Sequence, residues 1–117
     1  MKKPFAYITA VWKGGEFTVI DQAAVYCRKV YEAGFTPICP VLYLPHFLRD
    51  SIPAEYKDGI DIGRELLRRS HVLIVCGDEV DESGKNDIAV AQRLGITATT
   101  LDGILKIHAQ GENEVDA

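Results

Sequence analysis

Apolar and polar positions along the chain fall into short strand-like runs that alternate with helical stripes. Phe5 to Val11 is an apolar run rich in strand formers, and it predicts a first strand broken by Trp12-Lys13-Gly14-Gly15. From Thr18 to Ala33, Val19, Ala23, Tyr26, Cys27, Val30 and Tyr31 recur at mostly three- and four-residue steps. That stripe predicts an amphipathic helix with Thr18 as its N-cap and Gly34 as its stop. Phe35 to Pro40 predicts a second strand, and its prolines, which cannot donate to a ladder, place it at a sheet edge. Val41 to Glu55 follows neither period; it holds Pro45, His46, Phe47, Leu48 and Pro53. A segment of this length predicts a partly helical lid or partner surface over the end of the sheet. Tyr56 to Arg69 predicts a helix, and Val72 to Cys76 a strand buried on both faces. Asp87 to Leu94 predicts a helix stopped by Gly95, Ile96 to Leu101 a fourth strand, and Asp102 to Ile107 a short helix capped by Asp102.

Strands alternating with helices imply parallel pairing and right-handed crossovers. The expected architecture is a three-layer α/β/α domain of the flavodoxin/Rossmann-like kind. It has a four- to five-stranded parallel sheet in the order 2-1-3-4, one domain over residues 1–110 and a polar tail over 111–117. Such sheets bind ligands beyond the carboxyl ends of their strands, where the strand order reverses. The loops after Val11, Cys39 and Cys76 are therefore the place to look for chemistry.

Composition narrows the function classes. The formal net charge is -4, and no basic cluster exceeds Lys2-Lys3 or Arg68-Arg69, so a nucleic-acid surface is not expected. No apolar run approaches the roughly 20 residues of a membrane span, and no membrane partner is expected. Cys27, Cys39 and Cys76 form no C-x-x-C pair and read as buried thiols of a reducing cytoplasm. His46, His71 and His108 lack metal-ligand spacing, so no metal is expected. No dinucleotide or P-loop glycine motif is present, and no cofactor is expected.

The acidic loop after the third strand, Asp78, Glu79, Asp81, Glu82, Ser83 and Gly84, leads to Asp87 at the expected start of a helix. A carboxylate there is stabilised as an anion and, aimed into a cleft, can act as nucleophile or base. The plainer alternative is a set of solvated caps. Gly14-Gly15 would let backbone approach a phosphate or ribose, or serve as a plain turn. Trp12 could stack on a base or cover apolar surface. His46 sits in the lid-like segment, where it could meet a ligand. Tyr7 points either into the site or into the core, and His71, at the amino end of its strand, reads as structural.

These residues together resemble the nucleoside 2-deoxyribosyltransferase-like family, closest to a small bacterial and phage-associated subgroup of unknown function. The resemblance runs from Tyr7 to Ile96. It rests on Tyr7-Ile8-Thr9-Ala10-Val11-Trp12-Lys13-Gly14, Ala24-Val25-Tyr26-Cys27, Pro37-Ile38-Cys39-Pro40 and Leu44-Pro45-His46-Phe47-Leu48-Arg49-Asp50. Gly63-Arg64-Glu65-Leu66-Leu67 and the stretch from Ser83-Gly84 to Ile96 complete it. The resemblance implies an N-glycosyl hydrolase or transferase acting on a nucleoside or nucleotide. Asp87 would be the nucleophile, where the family has a glutamate, and Tyr7 would orient it. Asp81 would help hold substrate, and Asp61 would be the acid for the leaving base. Beside these, Gly14, Trp12, Ser83, Gly84 and His46 are the candidate substrate contacts. It also implies a homo-oligomer. Two further readings stay open: a catalytically inactive nucleotide-binding or sensing domain of the same fold, and an oligomeric interaction module that uses the apolar Val41–Leu48 segment.

Overall fold

The computed structural model describes residues 3–13 and 16–107. The elements follow the order β1 (Phe5–Ala10), α1 (Glu16–Glu32), β2 (Thr36–Ile38), two 3-10 turns (Pro40–Leu42 and Leu44–His46), α2 (Pro53–Arg68), β3 (Val72–Cys76), α3 (Glu82–Leu94) and β4 (Thr97–Thr100). Residues 101–107 are helical and are labelled α4. The sheet is parallel throughout, with the order β2-β1-β3-β4. The expected strand order and the edge position of β2 both hold.

The register of β1 on β3 pairs Ala6 with Val72, Tyr7 with Leu73, Ile8 with Ile74, Thr9 with Val75 and Ala10 with Cys76. Side chains alternate across a sheet, so these pairs separate two layers. Ala6, Ile8, Ala10, Val72, Ile74 and Cys76 pack with Ala23 and Val30 of α1 and with Leu101, Ile104 and Leu105 of α4. Tyr7 and Leu73 instead pack with Leu66 and Leu67 of α2 and Ile88, Val90 and Ala91 of α3. The three-layer α/β/α architecture follows from that division.

Several element ends differ from the sequence reading. Helix α1 begins at Glu16, so Thr18 lies inside the helix rather than capping it. Helix α2 begins at Pro53, whose fixed φ and missing N–H suit a first turn, not at Tyr56. Helix α3 begins at Glu82, five residues before Asp87, because the Asp81 side chain accepts a 2.9 Å hydrogen bond from the Gly84 N–H. Thr100 rather than Asp102 caps α4, its hydroxyl accepting from the Gly103 N–H at 3.1 Å. Gly95 does stop α3, with φ +73 and its N–H returned to the last turn. His71 is structural as expected: its Nδ1 accepts from the Phe5 N–H at 2.9 Å, pinning the start of β1 to β3.

Candidate functional site

A cleft of about 510 Å³ opens at the carboxyl end of β1, on the α2/α3 side of the sheet. That size suits a small-molecule ligand. Its floor is Tyr7, Ile8 and Thr9 of β1, with Trp12 just beyond the strand. One wall is the segment after β2, through Pro40, Val41, Leu44, Pro45, Leu48 and Asp50. The α2 wall presents Tyr56, Gly59, Ile60, Gly63 and Arg64, a helical stripe at three- and four-residue steps. The first turns of α3 supply Glu82, Ser83, Asn86 and Asp87.

Close backbone approach is what opens the floor to these groups. A Cβ on Gly63 would lie 3.2 Å from the Tyr7 Oη, so glycine at that position lets α2 rest against the phenol without crowding it. A Cβ on Gly84 would lie 3.0 Å from Val80 Cγ1 and 3.7 Å from Thr9 Oγ1. Gly84 is thus a buried packing position that brings α3 over β1, and it does not line the cleft.

Asp87 sits in the second turn of α3, half-buried, directly over β1. Burial raises its carboxyl pKa above the ordinary value. The Thr9 hydroxyl works the other way by favouring the ionised form; Asp81 adds to the rise, and the Arg64 guanidinium opposes it. Tyr7 is 9% exposed, and burial, followed by the charge of Asp87, drives its phenol far above its ordinary pKa. The phenol is therefore held neutral, near enough to Asp87 to feel its charge. Trp12 stands between cleft and core, its ring centroid 6.1 Å from that of Tyr26. A salt bridge of 3.1 Å between Lys13 and Glu79 ties the loop after β1 to the loop after β3.

The structure brings together Tyr7, Trp12, Ser83 and Asp87 from the residues singled out in the sequence. Asp81 stands outside the cleft lining as the N-cap of α3. Asp61 is also outside: it is exposed on α2, with its carboxylate 3.7 Å from the Lys57 Nζ. Arg64, one turn further along the same helix, takes the cleft-facing place. His46 is exposed on the second 3-10 turn, whose Leu44 and Pro45 line the cleft instead. Gly14 falls outside the described residues. Sequence reasoning missed Thr9 and Arg64 as site residues. The only signal for Thr9 was a hydroxyl in an otherwise apolar strand; for Arg64 it was its four-residue spacing from Ile60.

Among the described residues no group of histidine, cysteine and carboxylate side chains has a metal-holding arrangement, and no helix is long and apolar enough to cross a membrane. No curated protein matches the chain significantly. The sequence does match a family described as a domain of unknown function (DUF7768) over residues 4–101, a span that contains every residue of the cleft. The chain belongs to that family, and the cleft over Thr9 and Asp87 lies wholly within its shared domain.

Proposed function

We propose that the chain is an N-glycosyl hydrolase or transferase acting on a nucleoside or nucleotide, with Asp87 as the carboxylate nucleophile. One observation carries the reading: the half-buried Asp87 carboxylate faces a ligand-sized cleft between the Thr9 hydroxyl and the Arg64 guanidinium, beside the neutral Tyr7 phenol. A nucleophile must be ionised while sparsely hydrated, and Thr9 and Arg64 oppose the effect of burial in that sense. Asp87 would attack the anomeric carbon as the bond to the base breaks, leaving a glycosyl-enzyme ester. Water or a second base would then take the sugar. Tyr7 would hold the carboxylate's orientation, and Trp12 or Tyr56 would stack on the base. Asp50 and Glu82, the other carboxyl groups lining the cleft, are better placed than Asp61 to protonate the leaving base.

A second reading, a nucleotide-binding or sensing domain without turnover, is favoured by the aspartate at the position where the resembling family has glutamate. It is one methylene shorter, and misplacing a reacting group by about 1 Å costs roughly 100-fold in rate. Homo-oligomerisation belongs to the proposal as well, motivated by the exposed Tyr43, Phe47 and Ile52 beside the cleft; so does a cytoplasmic location, motivated by three free thiols.

The test is chromatography of purified protein incubated with mixed deoxynucleosides and deoxynucleoside monophosphates, run beside Asp87→Ala. Release or exchange of base that disappears in the variant is the expected result. Full activity in Asp87→Ala removes the assignment of the nucleophile. Saturable binding without release moves the function to the sensing reading, and absence of both removes the nucleoside reading altogether.

A further inference from the structure

On the opposite layer, three elements deliver a cysteine to one apolar cluster. Cys27 comes from α1, Cys39 follows β2, and Cys76 ends β3. Cys39 and Cys76 are buried, whereas Cys27 packs on the same cluster but is only partly buried. Cys27 and Cys39 share that cluster, and the influence of each thiol on the other lowers the pKa of Cys27 and, together with burial, raises that of Cys39. Burial pushes Cys76 up to about 12. One thiol is therefore reachable from solvent and inclined to ionise, its neighbour is sheltered beside it, and the third is held protonated in the core. That is the arrangement of an attacking and a resolving cysteine.

We propose that Cys27 and Cys39 form a peroxide-reactive dithiol that closes to an intramolecular disulfide. The Cys27 thiolate attacks hydrogen peroxide, the O–O bond breaks, and the sulfur is oxidised to a sulfenic acid. The departing hydroxide takes a proton and leaves as water. The Cys39 sulfur then attacks the Cys27 sulfur, an S–S bond forms, and the sulfenic hydroxyl leaves with the Cys39 thiol proton as a second water. Cys39 leads straight into Pro40 and Val41 of the cleft wall, whereas Cys27 belongs to α1 on the other side of the sheet. Closing the bond ties α1 to that wall.

The experiment treats the full chain with hydrogen peroxide, alkylates the remaining thiols and maps tryptic peptides. Cleavage after Arg28 and Lys29 places Cys27 and Cys39 on separate peptides, so a linked pair is unambiguous. The expected product has lost two hydrogens, links Cys27 to Cys39, keeps Cys76 alkylatable and returns to the starting mass with dithiothreitol. The fluorescence of Trp12, the single tryptophan, should change in step with the link. Cys27→Ser should give no link, and Cys39→Ser should stop at a dimedone-reactive Cys27. A link through Cys76, a link only between chains, or three thiols still alkylatable after peroxide would overturn the proposal, and each can be read on the unmutated protein.

Discussion

The two faces of β1 carry different work. One face presents Ala6, Ile8 and Ala10 to α1 and α4, all nearly inaccessible and all apolar. The other presents Tyr7 and Thr9 to α2 and α3, where glycines at 63 and 84 let helix backbone come close and a polar floor remains. The first face is filled by hydrophobic packing. The second gives up part of that packing for a cleft, a half-buried carboxylate and a phenol. A single strand thus divides stability from binding by the alternation of its side chains.

Mutations should separate the faces. The largest effect on folding is expected from Ile74→Ala on the closed face, where the side chain is 0% exposed. Emptying such a position costs about 2–5 kcal/mol, read as a lower urea midpoint. A loss under about 1 kcal/mol would mean that the closed face is not the stabilising one.

Next comes Asp87→Asn on the open face. Turnover should fall by at least about 100-fold, yet the protein should become more stable at neutral pH. Burial raises the folded-state pKa of Asp87 above its unfolded value. Its contribution to folding is therefore fully present only below the unfolded carboxyl pKa of about 3.9, and it is lost as pH rises through the raised folded value. The variant should melt above the wild type near neutral pH, with the gap closing on acidification. Equal melting at every pH would contradict the burial of this carboxylate.

Asp81→Ala should cost about 1 kcal/mol through loss of the α3 N-cap. Because Asp81 lies outside the cleft lining, its effect on ligand affinity should be much smaller than that of Asp87→Asn; the reverse ranking would restore Asp81 as a substrate contact. Gly63→Ala should change stability by less than about 1 kcal/mol, since alanine favours the helix by about that amount while its Cβ crowds the Tyr7 Oη at 3.2 Å. Ligand affinity should fall nonetheless, which a titration can read. The smallest effect belongs to Lys13→Ala: both partners of its salt bridge are 63% exposed, so denaturation should shift by under about 1 kcal/mol and less in high salt.

The same contrast explains what the sequence disclosed. Val72 to Cys76 reads as a central strand because burial on both faces leaves an unbroken apolar run, and the prolines of the 35–40 stretch mark an edge for a local chemical reason. The start of α3 was misplaced because Ser83 and Gly84 look like loop. Their reason for being helical is tertiary: Gly84 fits beneath Val80 and Thr9, and Asp81 caps the turn. Asp87 was visible as a carboxylate after an acidic loop and Tyr7 as a phenol in the first strand. Thr9 and Arg64 were not, since one is a hydroxyl within a strand and the other an ordinary surface-type residue until α2 turns it toward the cleft. Asp61, three positions earlier, shows how far one helical turn misleads when its register is unknown.

The most direct test of the division between the faces is an amide chemical-shift titration of the labelled chain with deoxynucleosides and their monophosphates. Saturable shifts are expected at Thr9, Trp12, Gly63, Asn86 and Asp87, with Ala23 and Val30 of α1 unmoved. Shifts confined to the α1 face, or none with any of these ligands, would contradict it.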